Sequence, residues 1–400
     1  MTRPSAAKTF PLLFLTLFLV LGWGGVASPQ PPLKVGALIP FSGRWGDAGR
    51  ECAKGMVDAG RSINHRGGVY GRRLEIFIID DTSQVAETMA AFRKLNESDR
   101  VLLLYVYSTE TGLALMPHSQ YHRLPAVVSS LPYPWTNPAK YPYAFCLTPT
   151  PFDVMKIAMK FLAEESGIKG RKPKVILLGS SDPISQDGLK EAKEFGRGLG
   201  LDLGPDIWLP ETSLSLDSLT KGSSAPFPLL LQYNPDFTFV SLSPRETHFL
   251  LGKAKELGLK TKWICNMRAF DETLSSFDGT FGVQPIAPYG EDVPGMTGVN
   301  EAHQRWHPYD SHTLSYVEGW ASVRVIAEAL GRALPEQRLS REWVKTMLEG
   351  FRDFVVDGLL PPLTITPRDH RPSLESRVFV VRGGKLTRHT SFVSLEREKR

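Results

Sequence analysis

Residues 34–43 are Lys34-Val35-Gly36-Ala37-Leu38-Ile39-Pro40-Phe41-Ser42-Gly43, an apolar run of strand length that ends in a proline and a turn-forming glycine. The segment that follows, 47–65, has apolar or small residues at helical spacing. Residues 74–79 are again apolar. Strands that are apolar throughout and alternate with helices predict a parallel sheet covered by helices on both faces.

The same alternation continues and then restarts further along the chain. Apolar runs predict strands at 101–106, 126–129, 175–179, 237–241 and 263–265, with helices at 85–95, 188–198 and 246–257. A long apolar helix is predicted at 315–330, and 377–381 with 390–393 are typical of a late hairpin. The fold class is therefore α/β, with two Rossmann-like units.

The first 27 residues have the pattern of a secretory signal peptide. Arg3 and Lys8 precede an apolar run at 10–21, and small residues follow at 24–28. This run is shorter than the roughly 20 residues that a membrane-spanning helix needs. We expect cleavage after Ala27, a linker at 28–32 and a periplasmic protein.

Composition and motifs argue against several function classes. Forty-seven basic and 42 acidic residues, with no dense basic run, do not indicate nucleic-acid binding. The three cysteines, Cys52, Cys146 and Cys265, show no metal-ligand spacing and permit at most one disulfide within the chain. No nucleophile elbow or phosphate-binding glycine loop is present. We expect no enzyme activity, no cofactor and no metal.

Three segments carry acidic or histidine residues that could serve as catalytic groups or metal ligands. Asp80-Asp81 lies at a strand-to-helix junction, which favours helix capping over acid–base catalysis. The pairs His118/His122 and His303/His307 have i,i+4 spacing, and the second lies among Glu301, Asp310 and His312. We interpret this group as solvated loop histidines in preference to a metal site.

Loops rich in hydroxyl and aromatic side chains follow the predicted strands. Ligands of parallel α/β sheets bind outside the carboxyl ends of strands, and small-molecule sites combine apolar walls with a few hydrogen-bonding groups. The residues that we predict to bind a ligand are Trp45, Ser108, Thr109, Ser130, Tyr133, Trp135, Ser185 and Arg268.

In these segments the chain resembles the periplasmic leucine/isoleucine/valine-type binding proteins of ABC transporters. The resemblance is carried by 34–43, by Asn64-His65-Arg66-Gly67-Gly68-Val69-Tyr70-Gly71-Arg72-Arg73-Leu74-Glu75, and by 316–320, 328–330 and 366–370. It implies a type I periplasmic-binding fold, with two lobes joined by three crossing strands. Lobe 1 would comprise 33–147 and 286–355, and lobe 2 would comprise 148–285 and 356–400.

The resemblance also implies roles for individual residues. Trp45 falls at an aromatic wall, Ser108 at the serine that holds a ligand carboxylate, and Ser130 in the loop that completes this grip. The acid that pairs with an amino acid's ammonium has no counterpart in register, and Arg268 lies near that position. A slip of the alignment would allow Asp271 or Glu272 to serve, and Glu110 is a further alternative. Because no acid stands in register to pair with an ammonium, we favour a carboxylate or neutral polar ligand over a zwitterion.

The expected function is that of the extracytoplasmic substrate-binding protein of an ABC importer. Its partners would be an amino acid or related small organic solute and a membrane permease. The alternatives are a ligand-sensing subunit of the same fold and, in another class, a secreted enzyme. The sequence does not identify the ligand.

Overall fold

Two β-sheets organise the protein, whose structure is a computed structural model describing residues 30–165, 167–210, 214–222, 225–334 and 339–397. The predicted signal peptide lies outside the described residues. Among those described, no helix combines the length and the apolar character needed to cross a membrane.

The first sheet is built from the N-terminal part of the chain. In the described residues it has five parallel strands in the order β2-β1-β3-β4-β5. The bounds are β1 Leu33–Leu38, β2 Leu74–Ile79, β3 Leu103–Val106, β4 Ala126–Val128 and β5 Ala144–Phe145. Nearly all residues of β1, β3 and β4 are buried, as expected for strands covered on both faces.

The second sheet has seven described strands in the order β12-β11-β10-β9-β8-β6-β7. Strands β6 to β10 run parallel, and β11 and β12 form an antiparallel hairpin on the β10 edge. The bounds are β6 Lys174–Ser180, β7 Asp202–Leu209, β8 Phe237–Ser241, β9 Lys262–Cys265, β10 Phe281–Gln284, β11 Glu375–Arg382 and β12 Lys385–Ser394.

Eleven α-helices within the described ranges flank these sheets. They are α1 Gly46–His65, α2 Val85–Arg93, α3 Thr109–Tyr121, α4 Pro151–Glu165, α5 Pro183–Gly198, α6 Leu216–Thr220, α7 Pro226–Tyr233, α8 Pro244–Glu256, α9 Met296–Trp306, α10 Leu314–Ala333 and α11 Arg341–Leu348. The longest two, α1 and α10, cross at Gly55 and Gly319, where a Cβ atom would overlap a carbonyl oxygen of the opposite helix.

The chain passes between the two sheets three times. These crossings lie after β5, after β10 and between α11 and β11. The arrangement confirms the predicted α/β fold of two mostly parallel sheets. The exact lobe boundaries that the sequence suggested stay a prediction.

The predicted strands and helices are found with boundaries shifted by a few residues. The capping role expected of Asp80-Asp81 is wrong in detail, because the residue that precedes α2 is Gln84, without a side-chain cap. Asp80 instead accepts hydrogen bonds from the Phe41 and Thr82 amides, at 3.0 and 2.9 Å. Asp80 therefore fixes the loop that follows β1.

The three cysteines are unpaired and buried. Burial raises the pKa of each thiol well above its usual range. All three therefore behave as small apolar residues.

Candidate ligand-binding site

Loops from both sheets converge on one cavity of about 110 Å³, which we call the central cavity. The loops after β1, β3 and β4 line one side, and those after β6, β8 and β9 line the other. Its lining residues are Arg44, Trp45, Thr109, Glu110, Ser130, Pro132, Pro151, Phe152, Met155, Ser180, Asp182, Ile184, Ser185, Ser241, Leu242, Asn266 and Arg268. The site thus lies at the carboxyl ends of the strands, where parallel sheets bind ligands.

Hydroxyl groups surround the beginning of α3 on the first-sheet side. Ser108 precedes the helix, and its Oγ donates to Glu110 Oε2 at 2.7 Å without capping the backbone. Thr109 Oγ1 donates to the Ser130 carbonyl at 2.8 Å, which joins the β3 loop to the β4 loop. The protons of both hydroxyls are thus engaged within the protein, and the positive end of α3 is the feature on this side that suits the carboxylate of a ligand.

Trp45 forms an aromatic wall between the lobes. It ends the short 3₁₀-helix Gly43–Trp45, where Gly43 has a φ of +72° that favours glycine. The neighbouring Arg44 reaches across to the second-sheet side, with Nη2 2.7 Å from Glu246 Oε2. Its guanidinium lies over the Trp45 ring, 5.4 Å from the centroid. This ion pair and the indole ring close the cavity on one side.

Polar groups on the second-sheet side are held by local capping. Asp182 caps α5 and accepts from the Ser185 amide at 2.9 Å, and Asn266 Nδ2 donates to Ser241 Oγ at 3.3 Å. Apolar surface comes from Phe152, Met155, Ile184 and Leu242. The cavity therefore combines fixed hydrogen-bonding groups with an apolar wall, as small-molecule sites do.

Arg268 spans the cleft and forms an ion pair with Glu318 of α10. Nη1 lies 3.1 Å from Glu318 Oε2 and Nη2 lies 3.2 Å from Oε1, with the two side chains 19% and 4% exposed. Tyr107 Oη, 3.2 Å from Nη1, and Ser129 Oγ complete the cluster. Burial acts to lower the pKa of Arg268, but Glu318 and the neighbouring tyrosines raise it overall, so the guanidinium stays charged.

The structure brings most of the predicted site residues together. Trp45, Thr109, Ser130, Ser185 and Arg268 line the central cavity, and Ser108 lines a smaller adjoining space of about 40 Å³. Tyr133 and Trp135 do not reach it. They line a neighbouring cavity that shares only Phe152 and Ile184 with the central one.

The three acids considered as partners for an ammonium lie in different places. Glu110 lines the central cavity. Glu272 accepts from the backbone amides of Tyr289 and Leu314, at 3.0 and 2.7 Å, and Asp271 accepts from the Thr273 amide. Glu110 is therefore placed to meet a ligand, whereas the other two carboxylates hold backbone.

Sequence reasoning missed three contributors to the site. Glu318 entered only as part of the segment 316–320, although an acid within the apolar helix α10 is a signal of a buried partner. Phe152 and Met155 belong to the first turn of α4, which carries no loop pattern. Their position becomes evident only when the crossing after β5 is seen in three dimensions.

The interpretation of solvated loop histidines is wrong for His312, which is 4% exposed. Its Nδ1 lies 2.9 Å from Glu51 Oε2, and its ring stacks on Tyr316 with centroids 3.9 Å apart. His307 Nε2 lies 3.0 Å from Asp58 Oδ2. Among the described residues, no group of three such side chains is arranged to hold a metal ion.

Two mostly parallel sheets with a cavity between them are the two-lobed arrangement of the type I periplasmic-binding fold. A family model described as periplasmic binding protein matches residues 32–385, and the chain belongs to this family. In a comparison with curated protein sequences, no match was found.

Solved structures share the type I fold. A branched-chain amino acid ABC transporter protein from Thermus thermophilus with bound valine has 20% identity and a TM-score of 0.79, covering 92% of this chain and 97% of the other. A fatty acid ABC transporter substrate-binding protein from Thermomonospora curvata has 19% identity and a TM-score of 0.78, covering 92% and 93%. A solute binding protein from R. palustris in complex with benzoate has 14% identity and a TM-score of 0.75, covering 91% and 96%.

Proposed function

We propose that this chain is the periplasmic substrate-binding protein of an ABC importer of the branched-chain amino acid type. It captures an amino acid or related small organic carboxylate between two lobes and delivers it to a permease. The lobes comprise 33–147 with 286–355, and 148–285 with 356–400. Export would follow from the signal peptide at 1–27, and catalysis is not part of the proposal.

The observation that carries this proposal is the composition of the central cavity. Thr109 and Ser130 stand at the positive end of α3, facing the Trp45 wall, inside a space enclosed by loops of both sheets. A carboxylate suits the first element and an apolar body suits the second. The three solved relatives described above are named for valine, fatty acid and benzoate, which all carry a carboxylate.

The cavity also bears on whether the ligand is a zwitterion. Arg268 is already paired with Glu318, so its charge is not free to attract a second carboxylate. Glu110 gives an ammonium a potential partner that the sequence hypothesis had considered only as an alternative. Burying an ammonium without a partner costs on the order of several kcal/mol. Whether the site accepts a zwitterion therefore depends on Glu110.

Isothermal titration calorimetry with two matched panels tests the proposal. One panel contains L-leucine and L-phenylalanine, and the other contains 4-methylpentanoate and 3-phenylpropanoate. We expect micromolar binding in at least one panel. A protein that is folded by circular dichroism and binds neither panel would contradict the proposal. If the amino acids bind, Glu110→Gln should weaken them at least tenfold and should not weaken the deaminated acids, because it removes a negative charge from their cavity.

A further inference from the structure

A second cavity of about 400 Å³ adjoins the central cavity, and we call it the outer chamber. It lies between the first turns of α1 and α8 and the segments near Asp271 and Thr313. The residues that line it are Arg44, Trp45, Asp47, Ala48, Glu51, Pro244, Arg245, His248, Asp271, Thr273 and Thr313. The outer chamber is more than three times as large as the central cavity.

The wall between the two spaces consists of side chains. Arg44 and Trp45 are the residues that line both, and both belong to the three-residue 3₁₀-helix after β1. The Arg44 side chain is 28% exposed and that of its partner Glu246 is 13% exposed. Side-chain rotamers change faster than backbone rearranges. Rotation of these two half-buried side chains is the movement that would open one space to the other.

The surface of the outer chamber suits an apolar group with solvent near its end. Trp45, Ala48 and Pro244 are half-buried and provide apolar contacts. Arg245, His248 and Thr273 are exposed at the rim. The two carboxylates deeper in the lining are engaged, Glu51 with His312 and Lys54, and Asp271 with Thr273. The outer chamber therefore offers apolar contact area to a ligand, and these two carboxylates already have partners within the protein.

We propose that the ligand is an elongated carboxylate whose apolar tail runs past Trp45 into the outer chamber. This inference rests on the proposed function and specifies its substrate class. The carboxylate lies at the positive end of α3, and the tail lies against Trp45, Ala48 and Pro244. Each methylene that becomes buried should tighten binding roughly threefold to fourfold.

Calorimetry with phenylacetate, 4-phenylbutanoate and 6-phenylhexanoate tests the tail. We expect the affinity of the wild-type protein to rise at least tenfold from the shortest acid to the longest. Ala48→Phe fills the outer chamber and should abolish this rise. Ala86→Phe, at an exposed position of α2, is the matched control and should keep it.

A second variant guards against misfolding of the first. Arg245→Trp narrows the chamber from an exposed position of α8 and should also abolish the gain with chain length. If phenylacetate binds and longer acids gain nothing in the wild type, the tail proposal is wrong and the proposed function stands. A gain that persists in folded Ala48→Phe and Arg245→Trp also overturns it. If neither these acids nor the two panels above bind, the proposed function fails together with the inference.

Discussion

The guanidinium of Arg268 lies 3.1 Å from the Glu318 carboxylate, and this contact joins the loop after β9 to the second turn of α10. Both side chains are largely removed from solvent. A buried ion pair is costly to break because the remaining charge keeps its desolvation penalty and loses its partner.

We expect Arg268→Gln and Glu318→Gln each to lower the free energy of unfolding by about 3 kcal/mol. The double variant should lose clearly less than the sum, because it leaves no unpaired charge. Urea unfolding of the four proteins measures this coupling. The exposed pair Lys221–Asp217 is the control, and its cycle should give under about 0.5 kcal/mol. A coupling equally small at Arg268–Glu318 would show that the pair does not persist in solution.

Trp45 should carry the fluorescence response to ligand. It lines the central cavity, whereas Trp135 lies in the neighbouring cavity and packs on the first-sheet core. Trp45→Ala should weaken binding about tenfold or more, since loss of an aromatic wall removes roughly 1–3 kcal/mol. Trp135→Phe should retain both affinity and the spectral change. If the fluorescence response disappears in Trp135→Phe, the signal comes from the neighbouring cavity and the assignment to Trp45 is wrong.

The crossing of α1 and α10 predicts sensitivity to a single methyl group. A Cβ on Gly55 would overlap the Tyr316 carbonyl oxygen, and a Cβ on Gly319 would overlap that of Cys52. Gly55→Ala and Gly319→Ala should each lower stability by about 3 kcal/mol, at the upper end of overpacking costs. Gly252→Ala in α8 is the control, because only Phe277 lies near and at 3.9 Å. It should be neutral or stabilising in thermal unfolding.

Glu272 should make stability depend on pH. Burial, reinforced by Asp271, raises the pKa of Glu272 from 4.5 to about 7. The folded state therefore binds more protons than the unfolded state between these values, and the free energy of unfolding falls as pH rises through this window. A shift of this size corresponds to about 3 kcal/mol.

Urea unfolding from pH 4.5 to 8 checks this dependence. The difference between wild type and Glu272→Gln should narrow or reverse in favour of the variant as pH rises. Glu256→Gln, whose side chain is exposed, should follow the wild-type slope. Parallel curves for wild type and Glu272→Gln would contradict the raised pKa.

Most strands were predictable because a continuous apolar run encodes them locally. Strands β5, β7 and β10 were not predicted. Strand β7 contains Gly204 and Pro205 and is buried at only three of its eight positions. It lies at the edge of the second sheet, where proline is tolerated and one side needs no partner. Helices α3, α4, α6, α7, α9 and α11 were also not predicted, and in α3 Pro117 interrupts the pattern. In β7 and α3 tertiary position outweighs local propensity.

The site was predictable only to the level of loops. That strand-end loops meet at one edge follows from parallel topology, and it brought Trp45, Thr109 and Ser130 together. The direction of a side chain within a loop does not follow from topology, which is why Tyr133 and Trp135 line a different cavity. The pairing of Arg268 with Glu318 joins residues 50 positions apart and has no local pattern.

The burial of Cys52, Cys146 and Cys265 has a practical consequence for spectroscopy. Thiols that are shielded from solvent and hard to deprotonate do not react with maleimide dyes. Cysteines introduced at the exposed positions Tyr121 of α3 and Leu231 of α7 would then be labelled selectively, without removal of the native ones. A donor and an acceptor at these two sites would follow the distance between the first-sheet and second-sheet halves in single molecules as solute is added.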